Sequence, residues 1–431
     1  MPTNHSETAV ADRESEIGYP GWRVVLAGFF GVMVSFAAII PYTFGLYIKP
    51  LSASFGWPRE SISAGFAVAA LTLAAASPAL GHLIDRFGPK KVVLPCIIAF
   101  SAAYASLSML TPRIAHFYAI LFVLGLVGNG TAYLGYSRAI ASWFSRRRGL
   151  AFAVMLAGVG VGAMLLPPIT QALISKYGWR TAYEVIGGVA FIVGFPLAAL
   201  FLTERRGNGS KERSAVSEPL ATGASVGEAA RTRIFWVLMI TVCLYSIGLN
   251  GAVTHIAALL TDRGVTPRGA AWAVSMLGGS GVVGRLATGL LLDRFFGPRV
   301  SQIMLLLSSV GLALLSVAHS LPMGMAAAAM IGFSLGSEGD VTPYLLSRYF
   351  GLRKFSTLYA LSWTFFAIGG ALGPVFLGRM FDALGSYRPL TIQLLAVPAL
   401  IPCLLLFLLP RYATLNDGEL VALAQIDASV V

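Results

Sequence analysis

Apolar residues run in long stretches along almost the whole chain and are separated by short polar segments. A helix rises 1.5 Å per residue, so about 20 apolar residues cross a hydrocarbon core about 30 Å thick. Twelve stretches meet this length, and we expect one transmembrane helix from each. The predicted spans are 22–47, 60–83, 91–110, 114–144, 149–175, 181–202, 234–260, 268–293, 300–319, 323–347, 355–380 and 389–409. The pattern therefore predicts an all-α polytopic membrane protein.

Composition and charge agree with this prediction. The 431 residues are 56% hydrophobic and 12% charged, and the mean hydropathy is +0.76. The net charge of +12 does not indicate a nucleic-acid partner, because the basic residues lie in loops between apolar stretches. With both termini in the cytoplasm, 21 of the 31 Lys and Arg residues are cytoplasmic and 9 are outside, leaving Arg285 within a span. This asymmetry follows the positive-inside rule.

A polar stretch divides the spans into two sets of six. The segment TERRGNGSKERSAVSEPLATGASVGEAARTR is rich in Gly, Ser and charge and predicts a flexible cytoplasmic linker. We expect five regions: a cytoplasmic N-terminal tail, a first half, the linker, a second half and a cytoplasmic C-terminal tail, at 1–21, 22–202, 203–233, 234–410 and 411–431. No signal-peptide pattern precedes the first span, and we expect the plasma membrane, in a bacterium the inner membrane.

Two loop phrases show that the halves are related. GHLIDRFGPKK (81–91) ends the second span and GLLLDRFFGPR (289–299) ends the eighth, with one extra residue before its Gly-Pro. Weaker echoes end the eleventh span, GRMFDALG (378–385), and the fifth, QALISKYG (171–178). Phrases at these four positions predict four three-helix units in two pseudo-symmetric six-helix halves, as in many secondary transporters.

The first phrase resembles the cytoplasmic loop motif of the major facilitator superfamily, which repeats it at the second position. WFSRRRGLAFAVMLAGVGVG (143–162) is similar to the fifth-span signature of the monocarboxylate transporter family. The matching positions are Trp143, Phe144, Arg147, Arg148, Leu150, Ala151, Ala157, Gly158 and Gly162. The segment departs at Ala153 and Met155, where that family more often has Gly and Ala. The oxalate/formate antiporter type shares much of this pattern.

The resemblance implies a gating role for the loop motif, in which the Asp locks a neighbouring helix while the carrier faces outward. The residues concerned are Gly81, Asp85, Arg86, Gly88, Gly289, Asp293 and Arg294. The alternative is that the motif merely anchors and orients its helix. If it gates, Asp85→Asn shifts the carrier toward its inward-open state.

Arg285 is a permanent cation inside an apolar stretch. It lies eight residues before Asp293, about 12 Å deep and near the middle of the bilayer. A charged Arg there costs about 2.5–3.5 kcal/mol on insertion scales, so it needs a wet cavity or a partner. A substrate carboxylate fits its planar fork. Glu338 and Asp340 in the tenth span lie about 15 and 12 Å from the same face, so either is a candidate partner for Arg285, but they point about 200° apart around the helix.

Two alternatives for Arg285 therefore stay open: a substrate carboxylate or an ion pair with one of these acids. They combine if the acid releases Arg285 on protonation, which would couple a proton to an anion. The resemblance favours a substrate role, because both related families have an anion-binding Arg in the eighth span. The second cation of oxalate carriers is missing from 355–374, and the first-span Lys of some animal members is missing from 24–48.

Other mid-depth side chains are candidates for lining the cavity, although helix packing explains each of them equally well. They are Asn129, Tyr133, Tyr136, Asn250 and Trp363.

The sequence thus predicts secondary active transport of a small organic anion, foremost a monocarboxylate such as lactate or pyruvate together with a proton. No GxxxxGK[ST] loop or catalytic pattern occurs, so we expect neither ATP-driven transport nor an enzyme, and no cofactor or metal. The alternatives are an oxalate/formate-type antiporter, a drug-proton antiporter and a non-transporting membrane sensor. The expected partners are the anion, protons and the lipid bilayer, and the oligomeric state, which could be monomeric, stays open.

Overall fold

The computed structural model describes residues 16, 18–144, 147–204, 223–351, 353–387, 396–397 and 400–410. The regular structure in these ranges is helical, with one isolated bridge between Gly223 and Gly351. The α-helices are α1 (Pro20–Met33), α2 (Phe36–Phe55), α3 (Arg59–Phe87), α4 (Pro89–Ser106), α5 (Ile114–Thr131), α6 (Tyr133–Trp143), α7 (Arg148–Phe201), α8 (Val226–Arg231), α9 (Arg233–Asp262), α10 (Pro267–Arg294), α11 (Gly297–Val317), α12 (Leu321–Phe350) and α13 (Phe355–Leu384).

The described helices account for eleven of the predicted spans. Nine described helical stretches are long and apolar enough to cross a membrane, and one of them, 149–201, contains two spans that meet at a kink at Gly178. α12 is a further long helix, whose small and polar residues lower its mean hydropathy. The twelfth predicted span, 389–409, is described only at 396–397 and from residue 400 onward, so the count of twelve stays a prediction.

Successive spans alternate in direction. The loops that follow α3 and α10 therefore share one side of the bundle, which we name the motif side, and the loops that follow α2 and α9 share the other, the far side. Three copies of the repeated phrase end in a glycine at positive φ: Gly88 (84°), Gly178 (87°) and Gly385 (66°). This conformation suits glycine because it has no Cβ. The copy with the extra residue leaves its helix through Phe295, which is extended (φ −123°).

Glycine contacts repeat between the two halves. The backbones lie so close that replacing glycine by any larger residue would cause a clash. An added Cβ would collide with a carbonyl of α1 at Gly158 and with a carbonyl of α9 at Gly373. In the same way α5 approaches α3 at Gly125, and α12 approaches α10 at Gly336. Fifth and first spans therefore pack as eleventh and seventh do, and fourth and second pack as tenth and eighth do. The glycine-rich faces are packing surfaces, as small residues in membrane helices commonly are.

Part of the predicted linker 203–233 is ordered. α8 lies within it and begins with a capping box, in which Ser225 Oγ accepts from the Glu228 backbone N–H and the Glu228 carboxylate accepts from the Ser225 backbone N–H. These two Ser225 contacts hold the pKa of the exposed Glu228 carboxyl below its ordinary value. The Ala224 N–H also donates to the Phe350 carbonyl, which ties this segment to α12. Residues 205–222 of the predicted linker lie outside the described ranges.

Candidate functional site

The first and fourth predicted spans are each broken in mid-membrane. The first is interrupted at Val34 and Ser35, between α1 and α2, and the fourth at Ala132, between α5 and α6. The breaks touch, because the Phe36 backbone N–H donates to Thr131 Oγ1 at 3.3 Å. Discontinuous helices at equivalent positions of structural repeats commonly mark a transporter binding site. The second break makes Tyr133 the first residue of a half-helix inside the bundle.

Close packing of α10 on α12 positions Arg285. A Cβ at Gly336 would collide with the Gly281 carbonyl and would lie 2.9 Å from the Arg285 backbone N. A Cβ at Gly284 would likewise collide with the Phe333 carbonyl. Because these backbones touch one turn before Arg285 and two residues before Glu338, both charged residues start from neighbouring points of the two helices. The sequence spacing predicted this similar depth.

Five side chains from both halves form a central cluster: Tyr42, Tyr133, Arg285, Glu338 and Tyr359. Arg285 acts electrostatically on the hydroxyls of Tyr42 and Tyr133. The Tyr133 hydroxyl is also within electrostatic range of Glu338 and Tyr359. All five side chains are half-buried. The central cluster therefore combines a cation, an acid and three phenols, a set that can bind a carboxylate and exchange a proton.

Other predicted lining residues make helix–helix contacts. Asn129 is buried, and its Nδ2 donates to Ser77 Oγ on α3. Tyr136 is fully buried, with its hydroxyl against Gly31 of α1. These contacts join the fourth span to the second and first spans, whereas Tyr133 faces Arg285.

The two remaining lining candidates lie on α9 and α13. Asn250 Nδ2 donates to Ser246 Oγ at 3.0 Å on its own helix. Trp363 is 37% exposed, and its ring stacks edge-on against Tyr359, with 6.3 Å between centroids. Trp363 thus borders the central cluster through Tyr359. A substrate contact for either residue stays a prediction.

The loop motif forms a charge chain within the first half. Arg138 pairs with Asp85 at 3.0 Å and with Glu204 at 2.8 Å, which links the second and fourth spans to the segment after α7. The Asp85 side chain is 76% exposed, and Gly88 is the positive-φ turn beside Glu204. This pairing leaves the gating role a prediction.

The other predicted gating residues add little to the motif-side contacts. Arg86 is exposed and lies over the Phe87 ring at 5.3 Å, and Arg294 is exposed in the last turn of α10. A Cβ at Gly81 or at Gly289 would have open space around it. The side chains of Asp293 and of the predicted proton acceptor Asp340 lie outside the described part of the chain.

Sequence reasoning missed a set of contacts that joins the two halves on the far side, which we name the far-side latch. Its centre is Arg59, 8% exposed, whose guanidinium donates to Asp262 at 2.6 and 3.3 Å. Lys49 also pairs with Asp262 at 2.8 Å. Asp382 accepts from the backbone N–H groups of Arg59 at 3.0 Å and Glu60 at 2.8 Å, so it caps α3 from the opposite half. The sequence signal was the GRMFDALG echo, in which Asp382 occupies the place of Asp85.

A buried histidine extends the latch inward. His255 Nε2 lies 3.0 Å from Ser63 Oγ of the first half and 3.1 Å from the Pro374 carbonyl, and Nδ1 lies 2.7 Å from the Tyr387 hydroxyl. Arg59 donates to the same hydroxyl at 3.0 Å. Burial raises the pKa of Tyr387, so the phenol stays protonated and can donate to His255 Nδ1. Polar contacts therefore join the two halves and close the far side of the bundle.

Comparison with known proteins agrees with this geometry. The family model described as Major Facilitator Superfamily matches residues 24–374. Monocarboxylate transporter 13 of Bos taurus is 29% identical over 85% of this chain and 84% of its own length. The uncharacterized MFS-type transporter YhjX of Escherichia coli (strain K12) is 27% identical over 78% of this chain and 83% of its own.

Solved structures show the same fold. A bacterial homolog of the human lysosomal transporter Spinster, in an inward-facing and unoccupied conformation, superposes with a TM-score of 0.70 at 15% identity. The match covers 91% of this chain and 97% of the homolog. The chain is thus a multi-pass membrane protein with a transporter fold, and it belongs to the Major Facilitator Superfamily.

Proposed function

We propose that this protein is a proton-coupled carrier of small monocarboxylates that works by alternating access. The observation that carries the proposal is the central cluster, where Arg285 lies between the halves with Glu338 and three phenols beside it. Arg285 takes the carboxylate of the substrate through its planar fork. The similarity to monocarboxylate transporters, at 29% identity or below, supports this substrate class.

In this proposal Glu338 carries the coupled proton. Its charge and that of Arg285 act on the same Tyr133 hydroxyl, so protonating Glu338 changes the field in which Arg285 binds an anion. Asp340 lies two residues further along the same helix, about 200° around its axis. In this proposal the motif side is the cytoplasmic side, and the far-side contacts between the halves correspond to an inward-facing state.

The first test is uptake of labelled lactate into proteoliposomes under an inward proton gradient. We expect native uptake that disappears when the gradient is collapsed. An oxalate/formate-type antiporter would instead need an internal counter-substrate, and a drug-proton antiporter would leave carboxylates untouched. A sensor would bind without uptake. Each of these three results would overturn the proposed function.

Replacing Glu338 by Gln should separate coupling from transport. The Gln side chain keeps the shape but carries no exchangeable charge, so uptake driven by the proton gradient should fall at least about tenfold. Exchange of external for internal lactate should persist, because exchange needs no net proton release. Asp340→Asn is the matched control on the same helix. Loss of coupling in the Asp340 variant with retention in the Glu338 variant would contradict the assignment of Glu338.

A further inference from the structure

A cavity lies among residues of the second half, and seven of its fourteen lining residues are polar. The cavity has a volume of about 50 Å³. It therefore has room for a few water molecules, because one water needs about 10–15 Å³. The lining comes from α9, α11, α12 and the segment at Leu406. Its polar lining residues are Thr241, Tyr245, Ser301, Ser334, Ser337, Glu338 and Thr342.

Two hydroxyls in the lining need a partner. Thr241 Oγ1 and Ser301 Oγ are buried, their residues are 9% and 5% exposed, and neither atom has a hydrogen bond to any described residue. A buried hydroxyl left without a partner costs about 1–3 kcal/mol. By contrast Ser309, on the same helix as Ser301, donates to the Leu305 carbonyl at 2.8 Å. Water in the cavity would satisfy the two hydroxyls.

Glu338 connects this cavity to the central cluster. It lines the cavity, and its charge acts on both Tyr245 inside the cavity and Tyr133 in the opposite half. The Tyr245 hydroxyl lies 2.9 Å from Ser334 Oγ, which extends the polar lining. One carboxyl group therefore borders both the proposed substrate site and the cavity. Among the described residues, the charged and titratable groups that act on the same hydroxyls as Glu338, or carry them, are Arg285, Tyr42, Tyr133, Tyr245 and Tyr359.

The other end of the cavity approaches the motif side. Ser301 lies four residues, about 6 Å, from the motif-side start of α11. A second cavity of about 580 Å³ lies at that end, lined by Phe296, Pro298, Arg299, Gln302, Leu406, Phe407 and Leu409. Leu406 is 2% exposed and lines both cavities, so its side chain separates them.

We propose that Glu338 exchanges its proton with the motif side through water held in this cavity by Thr241 and Ser301, with Leu406 as the barrier at the exit. The proposal rests on the proposed function, in which Glu338 carries the coupled proton. The carboxylic acid gives its proton to the first water, each water passes one proton on, and the last releases one proton past Leu406. No other reactant takes part.

Water in the cavity is tested first and without transport. Radiolytic footprinting of the full-length protein in nanodiscs oxidises side chains next to ordered water. Met304 lines the cavity although it is only 4% exposed, and Met239, on α9 and 0% exposed, serves as the dry reference. We expect Met304 to be oxidised at least about five times faster than Met239. Equal rates would mean a dry cavity and would overturn the proposal.

The two hydroxyls are tested with the double variant Thr241→Val and Ser301→Ala. Oxidation of Met304 should fall severalfold, gradient-driven uptake should fall about tenfold, and lactate exchange should stay at the native level. Ser309→Ala is the matched control and should change none of these. Gradient-driven uptake at the native rate in the double variant would overturn the route, while the proposed function would stand. Absence of gradient-driven uptake by the native protein would overturn the proposed function. The oxidation rate of Met304 would still show whether the cavity holds water.

The barrier is tested with Leu406→Ala. Shortening this side chain should join the two cavities, so that a pH dye trapped in the liposomes reports a proton leak several times that of the native carrier without substrate. Adding Thr241→Val and Ser301→Ala to Leu406→Ala, which gives a triple variant, should suppress the leak. A leak no faster than native in folded Leu406→Ala protein would contradict the exit at Leu406.

Discussion

Replacing Arg285 by Ala is expected to lower monocarboxylate uptake at least about thirtyfold. Truncating one member of a buried, hydrogen-bonded charge pair costs about 2–5 kcal/mol, and each 1.4 kcal/mol is a factor of about ten. Arg285 is the cation of the central cluster, and its charge reaches phenols of the first half, Tyr42 and Tyr133. The measurement is initial uptake of labelled lactate at matched amounts of reconstituted protein.

Arg285→Lys gives a graded version of the same test. Lys keeps the charge but loses the planar fork that matches a carboxylate, so we expect an intermediate loss of about tenfold that appears mainly in the apparent affinity for lactate. Arg113→Ala removes an exposed cation from a far-side loop and should transport at the native rate. Uptake by Arg285→Ala within threefold of native would contradict the substrate role.

A structural ion pair would produce a different pattern. If Arg285 only neutralises Glu338, the single variant Arg285→Gln leaves a buried charge and loses folded protein, and adding Glu338→Gln restores both folding and uptake. If Arg285 binds substrate, the double variant folds but stays inactive. Thermal stabilisation by added lactate gives a second reading, because it should be present in native protein and absent in folded Arg285 variants.

The architecture followed from the sequence because membrane solvation imposes a simple pattern. In the described residues the helix bounds agree with the predicted spans to within several residues, and the repeated phrases end helices as expected. The mid-span breaks at Ser35 and Ala132 were missed, since each lies inside a span with neither charge nor proline at the break, and isolated Ser, Asn, Gly or Thr residues are ordinary in membrane helices. Such breaks depend on tertiary contacts, here the Phe36 N–H and Thr131 hydroxyl, which hydropathy does not contain.

The sequence predicted those site residues whose charge is costly inside a membrane. It did not predict residues whose role depends on which way the side chain points. Arg285 and Glu338 stood out because mid-membrane charges are costly, and the structure brings both to Tyr133. The sequence did not show that Tyr133 and Tyr136 have different roles. In the structure Tyr136, three residues further along α6, has its hydroxyl against Gly31. Arg59 lies at a span end, where a charge is ordinary, so its own position indicated no contact across the halves, and the repeated Asp382 was the sequence signal for one.

Breaking the far-side latch is expected to shift the carrier toward its outward-open state. Arg59→Ala removes both guanidinium contacts to Asp262 and the packing over Phe381, whose ring centroid lies 3.5 Å from the guanidinium carbon. These contacts are partly buried and join the halves, so we expect a loss of about 2 kcal/mol, a change of about thirtyfold in the ratio of the two states. Asp382→Ala removes only the cap on α3 and should shift the ratio about fivefold, from a loss of about 1 kcal/mol.

The measurement uses spin-label distances in a background without the native Cys96, Cys243 and Cys403. The pair Arg113→Cys and Arg268→Cys spans the halves on the far side, and the pair Lys91→Cys and Arg353→Cys spans them on the motif side; all four positions are exposed. Arg59→Ala should lengthen the far-side distance and shorten the motif-side distance. Lys176→Ala removes an exposed far-side charge and should leave both distances at native values.

The repeated phrase makes the converse test possible. Asp382 and Asp85 occupy equivalent places in GRMFDALG and GHLIDRFG, and Asp382 caps the helix that begins on its side of the membrane. If Asp85 plays the same part on the motif side in the outward state, Asp85→Asn should move the distances opposite to Asp382→Ala, toward the inward-open state. The double variant should return toward the native ratio, because each substitution removes one of two opposed caps. Shifts in the same direction would mean that Asp85 acts only within the first half, through Arg138, and that Asp382 and the latch alone set the balance.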